Sequence, residues 1–218
     1  MARARPFVVG LTGNIASGKS LVGQTLVRVG AEYGNVSHID ADRLSRQVMA
    51  PGTDVWRQIV EAFGPGVVAA DRTLDRARLG QIVFTDPAAL ARLEAIVHPA
   101  VIALTELRIH EAAARGTPVV VVEAIKLIES GMVRRLCDQL WVVTAPRQVR
   151  LERLVRQRSM DRAVAQQRID AQPPEAIKVA QADVVIDNSG TIEETVRQVE
   201  QKAIETGVFA QRGDSHAD

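Results

Sequence analysis

An α/β fold, a parallel sheet wrapped by helices, is what this sequence predicts, and three observations predict it. Runs rich in β-branched residues recur at Phe7 to Leu11, Val36 to Ile39, Val119 to Val122, Leu140 to Thr144 and Val184 to Ile186. They are near-continuously apolar rather than alternating, as strands covered on both faces are. Segments with helical periodicity lie between them, the order that places helices on both sides of a parallel sheet.

The connections differ greatly in length. A helix is expected from Lys19 to about Arg28, stopped by Gly30, before a strand that ends at His38-Ile39-Asp40. Between Asp42 and Pro118 lie about seventy-five residues with helical spacing, such as Leu90, Leu93, Ile96 and Val97, and no buried strand. This reads as a helical insertion, 43–115, on the substrate side of a core formed by 1–42, 116–150 and 183–207. A second excursion, 151–182, is rich in arginine and interrupted by Pro173-Pro174, and reads as two helices forming a lid. Thr191 with Glu194 three residues on is a capping box for the last helix. The tail, 208–218, has little to bury and is expected to be disordered.

The 218 residues suffice for one sizeable domain with appendages. A composition 46% hydrophobic and 24% charged, with a formal net charge of +1, excludes general attraction to nucleic acid or membrane, so an anionic ligand must be held locally. The basic start Met-Ala-Arg-Ala-Arg-Pro lacks the apolar stretch of a leader, and no stretch approaches the length of a membrane span. A cytoplasmic protein with no nucleic-acid or membrane partner is expected; no oligomeric state is read. The single cysteine, Cys137, can form no internal disulfide and reads as a small buried residue at a strand entrance.

The chemistry begins with Gly13-Asn14-Ile15-Ala16-Ser17-Gly18-Lys19-Ser20, which fits G-x-x-x-x-G-K-[ST] after a strand and opening a helix. A chance match somewhere in such a chain has a probability of about one per cent. Glycines let the backbone approach an anion, successive N–H groups converge on its oxygens, and the helix N-terminus adds positive potential. Lys19 can reach the β- and γ-phosphates of a nucleoside triphosphate, and the Ser20 hydroxyl can ligate Mg²⁺. A phosphate cradle of this P-loop NTPase type leaves a kinase, an ATPase and a switch protein all standing.

Asp40 and Asp42 follow the second strand, at the sheet edge where ligands of open parallel sheets bind. Asp42 has two readings: acceptor for an attacking hydroxyl, with Asp40 anchoring Mg²⁺ through water, or simply the cap of the helix beginning Arg43-Leu44. Glu123, at the end of the third strand, can serve the metal or its waters. Lys126 and Glu129 face the same cleft or form a solvated pair. His98, before Pro99, is either structural or a donor to a phosphate of the acceptor. Of the arginines in the second excursion most are solvated, with one or two reaching phosphate.

Taken together, "GLTGNIASGKS", "IDADRLSRQVMAPG", "LDRARLGQIVF", "LEAIVHPAV", "IDAQ" and "ADVVIDNSG" resemble the dephospho-CoA kinase family, in order and across nearly the whole chain. The resemblance implies a P-loop kinase with an inserted helical CoA-binding domain and a mobile lid. It would use ATP with Mg²⁺ to phosphorylate the ribose 3′-hydroxyl of dephospho-CoA, the last step of coenzyme A synthesis. On that reading Gly13 to Ser20 and the adjoining Leu21 bind ATP, Lys19 stabilises the γ-phosphate, and Asp42 is the catalytic carboxylate. Asn188 and Ser189 lie near the adenine, and Asp42, His98 and Glu123 are on the substrate side. Arg153, Arg156 and Arg158 are the lid candidates. A nucleoside or nucleoside-monophosphate kinase is the rival enzyme and a nucleotide-dependent switch the rival of another class. The chain departs from the family pattern in several places. Asn14 and Ala16 replace glycines, the link from Lys19 to Asp40 is longer, Ile125-Lys126 opens the usual Pro-Leu-Leu-x-Glu, and Gln157-Arg158 stands for an Arg-Asp pair.

Overall fold

A computed structural model describes residues 5–209. Five strands form one sheet: β1 (Phe7–Thr12), β2 (Val36–Asp40), β3 (Val119–Glu123), β4 (Gln139–Thr144) and β5 (Val184–Asp187), in the order β2-β3-β1-β4-β5. The β1–β3, β1–β4 and β4–β5 pairs are parallel, with Leu11 level with Glu123 on one side and Trp141 on the other. Every residue of β3 is buried, as expected for a strand covered on both faces. The helices are α1 (Lys19–Gly30), α2 (Ala41–Val48), α3 (Asp54–Phe63), α4 (Arg76–Thr85), α5 (Pro87–Ala114) and α6 (Met132–Leu136), followed by α7 (Arg147–Arg158), α8 (Arg162–Asp170), α9 (Glu175–Val179) and α10 (Ile192–Glu205). The expected capping box on α10 is present.

The chain divides into two compact units. One comprises the residues up to Ile39 together with those from Ile109 onward; the other is Asp40–Arg108. The insertion was expected at 43–115, and the difference has a physical origin. α5 is one continuous helix through Pro99, and periodicity gives no signal of where along it one unit ends.

The first unit carries the sheet and its core, in which Leu11, Leu26, Trp141 and Ile186 are fully buried. Three expectations change here. Gly30 does not stop α1: it is the helix's last residue, where a Cβ would lie 2.0 Å from Val36 and 3.0 Å from Phe209. The space it leaves is filled by Phe209, whose ring stacks on Tyr33 with centroids 5.1 Å apart. Val208 and Phe209, expected to begin a disordered tail, are therefore core residues, and 210–218 lie outside the described residues. The second excursion holds three helices rather than two, α9 beginning directly after Pro174, which suits the first turn of a helix that needs no N–H there.

The second unit has a small core of its own around Val55, Ile59, Val67, Leu74 and Leu79. Its helices are individually capped: Asp40 accepts from Arg43 N–H, Thr53 from Trp56 N–H and Asp75 from Arg78 N–H. α5 also corrects the expectation that nothing reaches membrane-span dimensions. It has 28 residues and a mean hydropathy of 1.5 in its most apolar window, enough by length and composition alone. Along it Val97, Val101, Thr105, Ile109 and Ala112 are buried at three- and four-residue spacing, the stripe of a helix packed on protein.

Candidate active site at the phosphate loop

The turn from β1 into α1 is built around two positions that reject a side chain. A Cβ at Gly13 would lie 2.4 Å from the Val143 carbonyl oxygen, and one at Gly18 would lie 1.8 Å from Asn188 Nδ2. Gly18 also has φ +100°, a left-handed conformation that glycine adopts freely. Between them Ala16 takes φ +59°, which costs a non-glycine residue about 1–2 kcal/mol. The departure to alanine is thus accommodated by the smallest side chain that has a Cβ. Ser17 N–H donates to the Asn14 carbonyl at 3.1 Å and closes the turn. The amides of Ala16, Gly18 and Ser20 find no acceptor among the described residues, so they are available to an anion at the N-terminus of a twelve-residue helix. Lys19 is buried, its Nζ donating to the Gly13 and Asn14 carbonyls at 3.0 and 3.4 Å.

Two side chains hold this loop by its carbonyls. Arg153, on α7, donates through Nη1 to Ala16 O and Ser17 O at 3.3 and 3.2 Å, and through Nη2 to Asn188 O at 2.7 Å. Asn188 Nδ2 donates to Ser17 O at 2.7 Å, while its Oδ1 accepts from the Thr195 hydroxyl at 2.8 Å. Of the three lid arginines, the structure therefore brings Arg153 to the loop; Arg156 and Arg158 are exposed. Asn188, expected near the adenine, has its side chain committed to the loop, and Ser189 closes a turn on Asp187 through its N–H and hydroxyl.

Ser20, Glu123 and His38 form a second cluster. The Ser20 hydroxyl donates to Glu123 Oε1 at 3.1 Å, and His38 Nε2 lies 3.1 Å from Glu123 Oε2. Burial pushes the Glu123 carboxyl up, but the hydrogen bond and charge of His38, the charge of Lys19 and the Ser20 hydroxyl outweigh it. Together they hold Glu123 below the ordinary carboxylate range. Gly23 leaves room for the imidazole: a Cβ there would sit 3.0 Å from His38 Nε2. Sequence reasoning gave His38 no role. The available signal was its position two residues before Asp40, near the C-terminal end of β2.

The loop after β3 absorbs its departure from the family pattern through backbone. Ile125 O accepts from Thr12 Oγ1 at 3.1 Å and from Lys178 Nζ at 2.7 Å, contacts any residue at 125 can make. Lys178, buried, also pairs with Glu129 at 2.9 Å, so Glu129 is tied to α9 rather than forming a solvated pair.

Asp40, Asp42 and His98 belong to the second unit. There the helix cap is Asp40, whose Oδ1 accepts from Arg43 N–H at 2.9 Å, and not Asp42. Asp42 lies in the first turn of α2, exposed. The purely structural reading of Asp42 as a cap is thereby removed. His98 is half-buried on α5.

Comparison with known proteins identifies the family. A family model described as Dephospho-CoA kinase matches residues 7–194. The dephospho-CoA kinase of Geobacter sulfurreducens is 46% identical over 194 residues, covering 89% of this chain and 95% of that one. Among solved structures, TT1252 from Thermus thermophilus superposes with a TM-score of 0.77 at 31% identity, covering 93% of this chain and 98% of that one. The dephospho-CoA kinase from Campylobacter jejuni shares the fold, with a TM-score of 0.62 at 23% identity and coverage of 92% and 98%. With the phosphate loop, its carbonyl pins and the Ser20–Glu123 contact in place on a matched fold, the chain belongs to the dephospho-CoA kinase family.

Proposed function

We propose that this protein transfers the γ-phosphoryl group of ATP to the ribose 3′-hydroxyl of dephospho-CoA, giving coenzyme A and ADP in the cytoplasm. The observation that carries the donor half is the loop whose carbonyls are held from outside while its amides are left to an anion. Lys19, released from Gly13 and Asn14, can follow charge onto the γ-phosphate, where a fixed cation in a dry site is worth more than in water.

The donor set also fits Mg²⁺. A hydroxyl and a carboxylate in contact, Ser20 and Glu123, supply hard oxygen ligands next to the cradle. Among the described residues there is no group of three or more His, Cys, Asp or Glu that could hold a metal ion. An ion held by Ser20 and Glu123 would supply neutralisation of the charge on the phosphates. Glu123, held below the ordinary carboxylate range with His38 and Lys19 beside it, would serve the waters of such an ion, and Asp40 is read as a further anchor through water.

For the acceptor, Asp42 orients the hydroxyl for in-line attack. A weak base suffices, because the hydroxyl keeps its proton until late in a loose transition state and positioning dominates. The insertion, 43–115, binds the CoA moiety with His98 as a contact, and 151–182 closes as the lid. A coupled assay of ADP release tests the reading. Release that depends on dephospho-CoA, with nucleoside monophosphates inert and Asp42→Asn retaining ATP affinity, supports it. Turnover of a nucleoside monophosphate, or slow hydrolysis indifferent to dephospho-CoA, points instead to the rival kinase or to a switch.

A further inference from the structure

The inner half of the phosphate loop is held by Arg153 and Asn188; its outer half is held by a different element. Gln172 and Pro173 lie in the short turn between α8 and α9. Gln172 Oε1 accepts from Ile15 N–H at 2.7 Å, and Asn14 Nδ2 donates to the Pro173 carbonyl at 3.3 Å. Both amide orientations are fixed by chemistry: an N–H needs an acceptor, and a proline carbonyl can only accept. Asn14 is 2% exposed, so its side chain stands inside the turn rather than in solvent.

We infer that Gln172 and Asn14 form a strap that couples the base of the lid to the phosphate loop, making Gln172 a positioning residue for ATP. The strap works on the part of the loop most in need of it. Ile15 directly precedes Ala16, which is held at φ +59°, and Ser17 N–H turns back to Asn14 O. Freed at Asn14 and Ile15, the segment can relax Ala16 into a right-handed conformation and swing the following amides out of convergence. Arg153 and Asn188 cannot prevent this alone, because they grip only the carbonyls of Ala16 and Ser17. The strap takes up the Ile15 amide and leaves those of Ala16, Gly18 and Ser20 to the phosphates, so it persists when nucleotide binds. A glycine at 14 makes no bond to Pro173, so one strand of the strap is specific to chains with a donor there.

The inference rests on the ATP-binding reading above, and its test separates the two. Amide hydrogen exchange of Ile15, resolved by NMR in the unliganded full chain, is measured alongside the ATP dissociation constant and the KM–kcat split. Gln172→Ala removes one net hydrogen bond, so Ile15 exchange should accelerate about three- to ten-fold and ATP affinity fall by a similar factor. The larger share of the kinetic change should fall in KM for ATP. Gln172→Glu keeps the acceptor oxygen and should keep Ile15 protected, and Asn14→Gly should weaken ATP binding in the same direction as Gln172→Ala. Unchanged Ile15 exchange in Gln172→Ala, or unchanged ATP affinity despite faster exchange, overturns the strap. A parent protein that does not bind ATP overturns the nucleotide reading instead.

Discussion

Asn188→Ala is the substitution whose effect the geometry bounds most tightly. It removes the 2.7 Å bond from Nδ2 to Ser17 O and the 2.8 Å bond accepted from Thr195. Neither partner is orphaned: Ser17 O keeps Arg153 Nη1 at 3.2 Å, and the Thr195 hydroxyl keeps Thr191 O at 3.2 Å. The full penalty of an unsatisfied buried group therefore does not apply, and each bond counts at its net value of about 1 kcal/mol. With the small cavity left by the amide, the loss of stability is about 2–3 kcal/mol. In a chain of this size that lowers Tm by about 4–12 °C. Loosening one of two pins on Ser17 O should weaken ATP binding about fivefold, the equivalent of one such bond.

Thermal unfolding and calorimetric titration with a non-hydrolysable ATP analogue measure both quantities. Because Arg153 and Asn188 grip the same carbonyl, Arg153→Ala and Asn188→Ala should be non-additive, with a coupling of about 0.5 kcal/mol or more. A Tm within about 1 °C of the parent, or strict additivity in the double variant, would refute the assignment of Asn188 as a loop pin.

Four further outcomes separate roles within the chain. Asp40→Ala removes a helix cap and should cost about 1 kcal/mol of stability. Asp42→Asn should leave Tm nearly unchanged while cutting turnover by a factor of about 10² or more, and comparison of Tm and kcat for the two variants checks the division. Phe209→Ala empties a site packed by Tyr33 and Gly30 and should destabilise by about 3–5 kcal/mol in denaturant titration, whereas a disordered residue would show no change. Burial, and next the charge of Asp138, pushes the Cys137 thiol up to about 12, so thiolate is scarce at pH 8. The thiol also lies close against Gly10, where a Cβ would sit 2.7 Å from Cys137 Sγ. Labelling by a disulfide reagent at that pH should be slow until denaturant is added, and fast labelling of the native protein would contradict that packing.

The inner strands β1, β3 and β4 were legible because burial on both faces demands continuous apolar runs; the edge strands β2 and β5 are only partly buried, yet each of the five was placed within a residue or two of its observed ends. The phosphate loop was legible because its steric demands fall on single positions: Gly13 faces a carbonyl and Gly18 faces Asn188. What the sequence left open was choice among equivalents. Arg153, Arg156 and Arg158 share one short helix, and only the carbonyls of Ala16, Ser17 and Asn188, supplied by two distant elements, single out Arg153. The same holds for Asn188, whose partners Ser17 and Thr195 lie on different elements. His38 carries no local pattern, and Gln172 was legible only as the end of the "IDAQ" stretch; their contacts exist only where β2 meets β3 and where the turn between α8 and α9 meets the loop. Val208 and Phe209 were misread because Phe209 fits a space that only a glycine at 30 opens, a relation invisible to composition.

The central claim is that phosphate from ATP arrives on one hydroxyl of one acceptor. Phosphorus NMR and mass spectrometry of the product formed from ATP and dephospho-CoA read that directly. The expected product gains one phosphoryl group as a 3′-phosphomonoester on the ribose, in step with ADP, and forms at least about 10²-fold more slowly with Asp42→Asn. Phosphate found only as inorganic phosphate, on another hydroxyl, or equally with Asp42→Asn would contradict it.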